Sequence, residues 1–206
     1  MAKIPPGKRH DPALVLDSLI RIGQPFIVKF IALNNCVLIT RVAIDVLGDF
    51  GIAATPLTVH VVGHNAAYDR LVRNLGSPTD PEAFRRLCDE HVASTFRVGG
   101  GGEDGPNDWP HHLVAIVAGR QILDLSIGQA SSAERGIELS PVLARCDEDF
   151  LTGRCELEHT TKMSGCYLKY QALPDETSYR PTWDWKSSPA HVFNSVVKRM
   201  QDDLAD

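Results

Sequence analysis

Apolar residues recur at helical spacing through the first quarter of the chain. The pair Asp11-Pro12 is typical of a helix start, because aspartate caps free amide groups and proline fits the first helical position. Five apolar residues follow and supply the apolar positions of a first helix: Leu14, Leu16, Leu19, Ile20 and Ile22. Residues 36–49 are almost wholly apolar apart from Arg41 and Asp45, which lie four positions apart. The pattern predicts an N-terminal helix and a buried central helix.

The next segments mix both periodicities. The apolar run at 25–33 is too short for its period to separate helix from strand, so both remain open. Residues 58–62 are rich in β-branched side chains and predict a strand. Two helices are predicted at roughly 65–75 and 81–93, the second opened by another aspartate-proline pair at Asp80.

The second half of the chain has the pattern of strands. Residues 113–117 and 121–125 predict a hairpin, and three later segments predict further strands: 136–144, 154–160 and 167–173. The aromatic segment from Tyr179 to Trp185 predicts an extended arm across the sheet, and a last helix is predicted from Ser188-Pro189 to about residue 203. Helices followed by a meander of strands indicate an α+β fold, with the central helix packed on an antiparallel sheet or partial barrel.

Length and composition fit one compact domain. The 206 residues, 43% of them hydrophobic, are enough for one substantial core spanning 1–206. No run of 18 apolar residues occurs, and the first ten residues lack the apolar run of a signal peptide. Five cysteines without a CxxC pair are typical of reduced thiols. We therefore expect a cytoplasmic protein with no membrane partner.

The charge pattern argues against nucleic-acid and nucleotide binding. The formal net charge is −5, and no basic block is longer than Lys8-Arg9, so a partner with a phosphate backbone is not expected. The four glycines at 99–102 are followed by Glu103 and Asp104, which would repel a phosphate group. This run is therefore predicted to be a flexible loop.

Cys36 lies at a position where its thiol could become more reactive. Cys36 follows two asparagines and opens the predicted central helix, whose free amide groups and dipole favour a thiolate over a thiol. This position makes Cys36 a candidate nucleophile, although a lone cysteine at a helix start is more often a buried structural thiol; the histidine and aspartate described next favour catalysis. Asn35 and the amide of Cys36 are candidate donors to an oxyanion, although Asn35 is equally suited to capping the helix.

The predicted hairpin supplies a base and a residue to orient it. With a three-residue loop at 117–119, His112 lies directly opposite Asp124 and both side chains share one face. A two-residue loop would place His111 on that face instead, but Ala118 fits the left-handed position of such a turn poorly. We therefore assign His112 as the base and Asp124 as its orienting carboxylate.

Other polar residues are weaker candidates. Trp109 could donate to an oxyanion or line the site, but could equally anchor the core, and Gln129 could bind substrate. The spacing of His60 and His64 is only weak evidence for a metal site. Cys155, His159 and Cys166 do not have the spacing of a tetrahedral metal site. No metal and no cofactor is therefore predicted.

The order of these residues resembles a known family. A cysteine that opens a helix, Gly51-Ile52 leading into a strand 15 residues later, a histidine that starts one strand and an aspartate on the next are similar to the transglutaminase-like core of the papain-type thiol superfamily. The order also resembles that of the arylamine N-acetyltransferases. The resemblance covers 34–62 and 109–129, about half the chain. It implies Cys36 as nucleophile, His112 as general base and Asp124 as its orienter.

The chain departs from that pattern at three places. Val37 stands where many members have an aromatic residue, and Leu113-Val114 stand where many have a small residue and tryptophan. The 76-residue separation of Cys36 and His112 exceeds the usual core, which predicts a helical insertion at 63–108 that serves as a substrate lid. A C-terminal arm and helix at 174–206 complete the predicted domain.

These residues lead to one main hypothesis and two alternatives. The main hypothesis is cysteine-dependent acyl transfer, or amide or peptide hydrolysis, through an acyl-enzyme on Cys36, with a small-molecule, peptide or protein substrate. The first alternative is a catalytically inactive binding or scaffold module that keeps the fold. The second is an acyltransferase that depends on coenzyme A.

Overall fold

The computed structural model describes residues 10–31, 35–75, 80–98, 111–162, 164–186 and 189–205. In these ranges the α-helices are α1 Pro12–Ser18, α2 Gln24–Phe30, α3 Cys36–Asp49, α4 Ala66–Leu75, α5 Pro81–Glu90, α6 Glu148–Leu151, α7 Trp183–Lys186 and α8 Ala190–Asp203. The strands are β1 Ala54–His64, β2 Thr95–Val98, β3 His112–Val117, β4 Gln121–Asp124, β5 Val142–Arg145, β6 Glu156–Thr160 and β7 Tyr167–Ala172. The fold is α+β, with helices packed on an antiparallel, barrel-like sheet.

The predicted helix starts are confirmed by their caps. The Asp11 carboxylate accepts a hydrogen bond from the amide of Ala13 at 2.9 Å at the start of α1. At α5, the Asp80 carboxylate accepts hydrogen bonds from two backbone amides, as expected for an aspartate-proline start. The ambiguous apolar run at 25–33 contains most of α2, which follows a π-helical turn at Leu19–Gly23.

The long strand β1 lies at the centre of the sheet. The strand order is β5-β4-β3-β1-β7-β6, and the registers of all these neighbours are antiparallel. One edge of β1 is shared by two strands: β3 pairs with residues 54–59 and β2 pairs with residues 61–64. β2 ends at Val98 opposite Val61, and β3 begins at His112 opposite Val59, so the two strands follow one another along this edge. The strand β2 was not predicted from the sequence.

The two faces of the sheet bury separate apolar clusters. On one face, α1, α2, α3 and α8 pack against alternate residues of β3 and β4, including Ala115 and Leu123. On the other face, residues of β1, β3, β4, β5 and β7 meet the side chains of Ile137 and Phe150. Because side chains alternate along a strand, the two faces of β3 are buried by different clusters. The strand His112–Val117 is consequently buried at every position.

The register of the β3–β4 hairpin differs from the prediction. Val117 pairs with Gln121, so the loop comprises residues 118–120 rather than 117–119. Ala118 adopts a left-handed backbone with φ +49°, followed by Gly119 at φ +66°, although alanine disfavours that region. The prediction that His112 lies directly opposite Asp124 is therefore wrong: the two are offset by two residues. Because the offset is an even number of residues and side chains alternate along a strand, His112 and Asp124 still lie on one face.

The C-terminal arm was predicted to be extended, but part of it is helical. Tyr179 is buried against Val37 and Leu113, and Trp185 packs onto Tyr179 with ring centroids 4.8 Å apart. The short helix α7, Trp183–Lys186, follows the turn after Tyr179. The predicted glycine-rich loop lies outside the described residues. Among the described residues, no helix is both long and apolar enough to span a membrane.

A buried hydrogen bond ties the central helix to the sheet. The hydroxyl of Thr40, on the second turn of α3, donates to the backbone carbonyl of Leu113 at 2.8 Å. The Thr40 side chain is 5% exposed, so this bond is shielded from water. It holds the start of α3 beside the start of β3, next to His112.

We expect Thr40→Val to lower the free energy of unfolding by about 1–2 kcal/mol, because valine has a similar shape but leaves the carbonyl of Leu113 without this donor. The matched control is Thr55→Val, at an exposed position of β1. It should change the value by less than about 0.5 kcal/mol. Urea titration of both variants measures the difference, and equal effects would contradict a structural role for the Thr40 hydroxyl.

Candidate active site

Cys36 is the first residue of the central helix. Asn35 caps this helix, and its side-chain oxygen accepts a hydrogen bond from the amide of Leu38 at 2.9 Å. Amides of a first helical turn have no acceptor within the helix, and they lie at the positive end of the helix dipole. The half-buried Cys36 side chain packs against the cluster of Val37, Leu113 and Tyr179. The predicted position of Cys36 at a helix start is confirmed.

His112 and Asp124 form a buried pair. The Nε2 atom of His112 lies 2.8 Å from Oδ2 of Asp124. Both residues are almost inaccessible to solvent, with 2% and 1% exposure. His112 opens β3 opposite Val59, and Asp124 ends β4. The two residues that the sequence pattern brings together therefore do interact.

Asp124 is held by donors on both of its oxygens. Its Oδ1 accepts from the amide and hydroxyl of Ser126 at 3.1 and 3.2 Å and from the amide of Ile127 at 3.0 Å. Its Oδ2 accepts from the hydroxyl of Tyr170 at 3.2 Å as well as facing His112. A carboxylate with this many donors is fixed in position and its buried charge is compensated. Asp124 is therefore suited to orient an imidazole ring.

The protonation of His112 depends on its neighbours. Burial alone lowers the pKa of His112, but the charge and hydrogen bond of Asp124, together with a hydrogen-bonding and charge interaction with Cys36, raise it to about 10. Because Asp124 occupies Nε2, Nδ1 is the ring nitrogen left for Cys36. The imidazole is thus cationic at neutral pH. His112 in this state can pair with a thiolate and can donate a proton, and it acts as a base only after it has given that proton away.

The weaker candidates have different outcomes. The Asn35 side-chain oxygen is occupied by its capping bond, so the capping role is present. Gln129 lies on a 3₁₀ turn, Ile127–Ala130, just after Asp124, and its buried Nε2 has no hydrogen-bond partner among the described residues. Trp109 lies outside the described residues. None of these three residues is shown to contact Cys36.

His111 points away from the pair, as the strand parity predicts. Its Nδ1 lies 3.2 Å from Nε2 of His60, and its Nε2 lies 3.8 Å from a carboxylate oxygen of Glu176. The contact with His60 crosses from β3 to β1. Among the described residues, no group of three or more histidine, cysteine, aspartate or glutamate side chains is arranged to hold a metal ion.

Tyr170 and Ser126 were missed as members of the site. Ser126 carries a local signal, because an aspartate followed by serine two residues later is typical of an Asx turn. Tyr170 carries none, since it reaches Asp124 only through the pairing of β7 with β1, of β1 with β3 and of β3 with β4. Burial and the negative charge of Asp124 raise the pKa of Tyr170, so its hydroxyl remains a donor.

The raised pKa of His112 predicts a pH-dependent stability. Its folded pKa of about 10 exceeds the ordinary value of 6.5, so its contribution is fully present below pH 6.5 and is lost as pH rises through 10. We expect the unfolding free energy of the wild type, relative to His112→Gln, to fall by about 1 kcal/mol per pH unit between pH 7 and 10. Urea titrations at several pH values measure it. A difference that stays constant with pH would contradict the cationic state, and His111→Gln is the control.

Comparisons of this chain with protein-family models, with curated proteins and with solved structures found no match. The resemblance to the transglutaminase-like core therefore remains a prediction from the residues quoted above.

Proposed function

We propose that this protein is a thiol enzyme that forms an acyl-enzyme on Cys36 and passes the acyl group to water or to an amine. The observation that carries the proposal is the interaction of Cys36, at the start of α3, with a buried His112–Asp124 pair. Nucleophile, imidazole and orienting carboxylate are the three parts that thiol catalysis requires. The proposed similarity to the transglutaminase-like core points to the same reaction style.

The first half of the reaction uses the cationic state of His112. The Cys36 thiolate attacks the carbonyl carbon of an amide, ester or thioester, and a C–S bond forms as the carbonyl electrons move to oxygen. When the tetrahedral intermediate collapses, His112 donates its proton to the departing amine, alcohol or thiol. The bond from carbon to the leaving group breaks, and a thioester remains on Cys36 with neutral His112.

The second half reverses the proton transfer. Water or an amine attacks the thioester carbonyl while neutral His112 accepts a proton from it. The C–S bond then breaks, which regenerates the Cys36 thiolate beside the His112 cation. Throughout both steps Asp124 keeps the Nε2 proton in place, so that Nδ1 is the atom that exchanges the catalytic proton.

The helix start offers a place for the negative oxygen of the intermediate. In an α-helix the first amides lack internal acceptors, and at α3 the Asn35 cap serves the amide of Leu38. The backbone amide of Cys36 itself is therefore the proposed donor to the oxyanion. The cap holds this first turn in place, so Asn35 acts as a positioning residue in the proposal.

We expect Cys36 to be alkylated by iodoacetamide at pH 7 faster than Cys88 and Cys146. Burial, with smaller contributions from Asp89 and Asp147, raises the pKa of those two thiols, so they stay protonated. The interaction of Cys36 with His112 should make Cys36 the more reactive thiol. Peptide mass spectrometry after timed alkylation measures each rate.

The matched variants are His112→Gln and His111→Gln, neighbours that face opposite sides of β3. The rate advantage of Cys36 should be lost in the first, keep its size in the second, and persist up to about pH 10 in the wild type. Circular dichroism confirms that each variant is folded. Ordinary reactivity of Cys36 in the folded wild type would overturn the enzyme proposal and favour the binding module.

A second experiment traps the acyl-enzyme directly. We expect incubation with p-nitrophenyl acetate to add one acetyl group to the wild type, located on Cys36 by peptide mass spectrometry, because an activated ester needs no specific leaving-group contacts. Cys36→Ala should remain unmodified, and Cys155→Ala, which removes an exposed thiol, should be acylated like the wild type. Equal acylation of Cys36→Ala would contradict the assignment.

A further inference from the structure

A second polar site lies at the far end of the central strand. An open cavity of about 620 Å³ is bounded by the last residues of β1, by β2, by β7 and by the start of α4. Its lining includes three cations, Arg97, Arg135 and Lys169, and the rings of His64, Tyr68 and Tyr167. We propose that this cavity binds the anionic group, phosphate or carboxylate, of a small molecule. The proposal is independent of the acyl-transfer function.

The charge of the lining is the first argument. No carboxylate is among the described residues that line the cavity, although acidic residues outnumber basic ones, 26 to 21, in the chain. Lys169 pairs with Glu156 of β6, but Arg97 and Arg135 make no ion pair with a described residue, so these two cations give the cavity a polarity that attracts an anion. The volume lies in the range of about 300–1,000 Å³ usual for small-molecule sites.

The strand register places two of the cations on either side of one residue. Val62 pairs with Arg97 of β2 on one side and with Lys169 of β7 on the other. Two interstrand steps of about 4.8 Å separate their backbones by about 10 Å, so long side chains converge over Val62. Arg135 reaches the same end of the sheet, where its guanidinium donates to the backbone carbonyl of Thr95.

The carboxylates near this cluster stand on the outer strand β6. Glu156 pairs with Lys169 at 2.9 Å, and Glu158 hydrogen-bonds to Tyr167. Arg97 makes no ion pair with a described residue, and a guanidinium is the group best shaped to bind phosphate or carboxylate with two parallel hydrogen bonds. Burial, and then the positive charges of His111 and Arg97, lowers the pKa of the neighbouring His60, which fits a positive environment.

The aromatic residues build one wall of the cavity. The ring of His64 stacks on Tyr167 with centroids 4.9 Å apart and planes 17° apart, and it meets Tyr68 at 5.2 Å. Three rings in contact are held in fixed positions and present apolar surface beside the cations. The ligand that fits this arrangement is an anion attached to a flat or apolar body.

The cavity and the His112–Asp124 pair use opposite faces of the sheet, and neither that pair nor Cys36 is among the residues that line the cavity. Val59, opposite His112, points into the apolar cluster of the sheet's second face, whereas Val62 and His64 lie on the other parity. Three residues along a strand correspond to about 10 Å. The basic cavity is therefore a separate recognition site, and a ligand bound there need not touch Cys36.

Nuclear magnetic resonance titration of the ¹⁵N-labelled full chain tests the proposal. The probes are inorganic phosphate, phenyl phosphate and benzoate, which separate phosphate from carboxylate recognition. We expect saturable shifts confined to β2, to the end of β1 and to Tyr167, with phenyl phosphate or benzoate binding more tightly than inorganic phosphate because the rings contribute. Tighter binding of one aromatic probe identifies which anionic group the site prefers.

Two arginine variants test whether the cations of the cavity are responsible for anion binding. Arg97→Gln should weaken binding about tenfold or more, since it removes a charged donor from an exposed position without disturbing the core. Arg120→Gln, at the β3–β4 loop and outside the cavity, removes the same charge and should leave binding unchanged. Absence of saturable shifts up to about 20 mM of every probe, or equal weakening by both variants, would overturn the proposal.

Discussion

The buried pair of His112 and Asp124 is the constraint around which the site is built. Two ionisable groups at 2.8 Å and almost without solvent exposure would be costly unless each charge were compensated. The compensation comes from Ser126, Ile127 and Tyr170, which donate to the carboxylate, and from the interaction of the imidazole with Cys36. Removing one partner would leave the others uncompensated, so the geometry of the whole group is coupled.

The pair stands on β3 and β4, with His112 opposite the middle of β1, whereas the basic cavity lies at the C-terminal end of β1. β3 and β2 share one edge of β1, with His112 opposite Val59 and Val98 opposite Val61. Helices α4 and α5 lie between β1 and β2 in the chain, and the pairing of β2 with β1 brings Arg97 into the sheet.

Local features of the site were predictable because they depend on short-range chemistry. The cap at Asn35 and the apolar pattern of residues 36–49 determine where α3 begins, and so place Cys36 at its first turn. The alternation of side chains along a strand correctly predicted that His112 and Asp124 share one face. The predicted pairing itself was wrong, because His112 and Asp124 are offset by two residues in the hairpin. The two side chains still share one face because the loop has three residues, as predicted, but at 118–120 in place of 117–119.

Long-range pairing decided the rest. Nothing local indicates that Tyr170 meets Asp124, that β2 joins β1, or that Arg97 and Lys169 flank Val62, because these contacts join segments far apart in sequence through the strand order. Ala118 also adopts a left-handed backbone conformation that alanine disfavours, because the pairing of β3 with β4 requires it there. The sequence alone determined the main helices, the β3–β4 hairpin, the helix-start cysteine and the shared face of its candidate partners, but neither β2 nor the short helix α7. The tertiary structure decided their register, burial and charge, since those depend on which distant residues pack together.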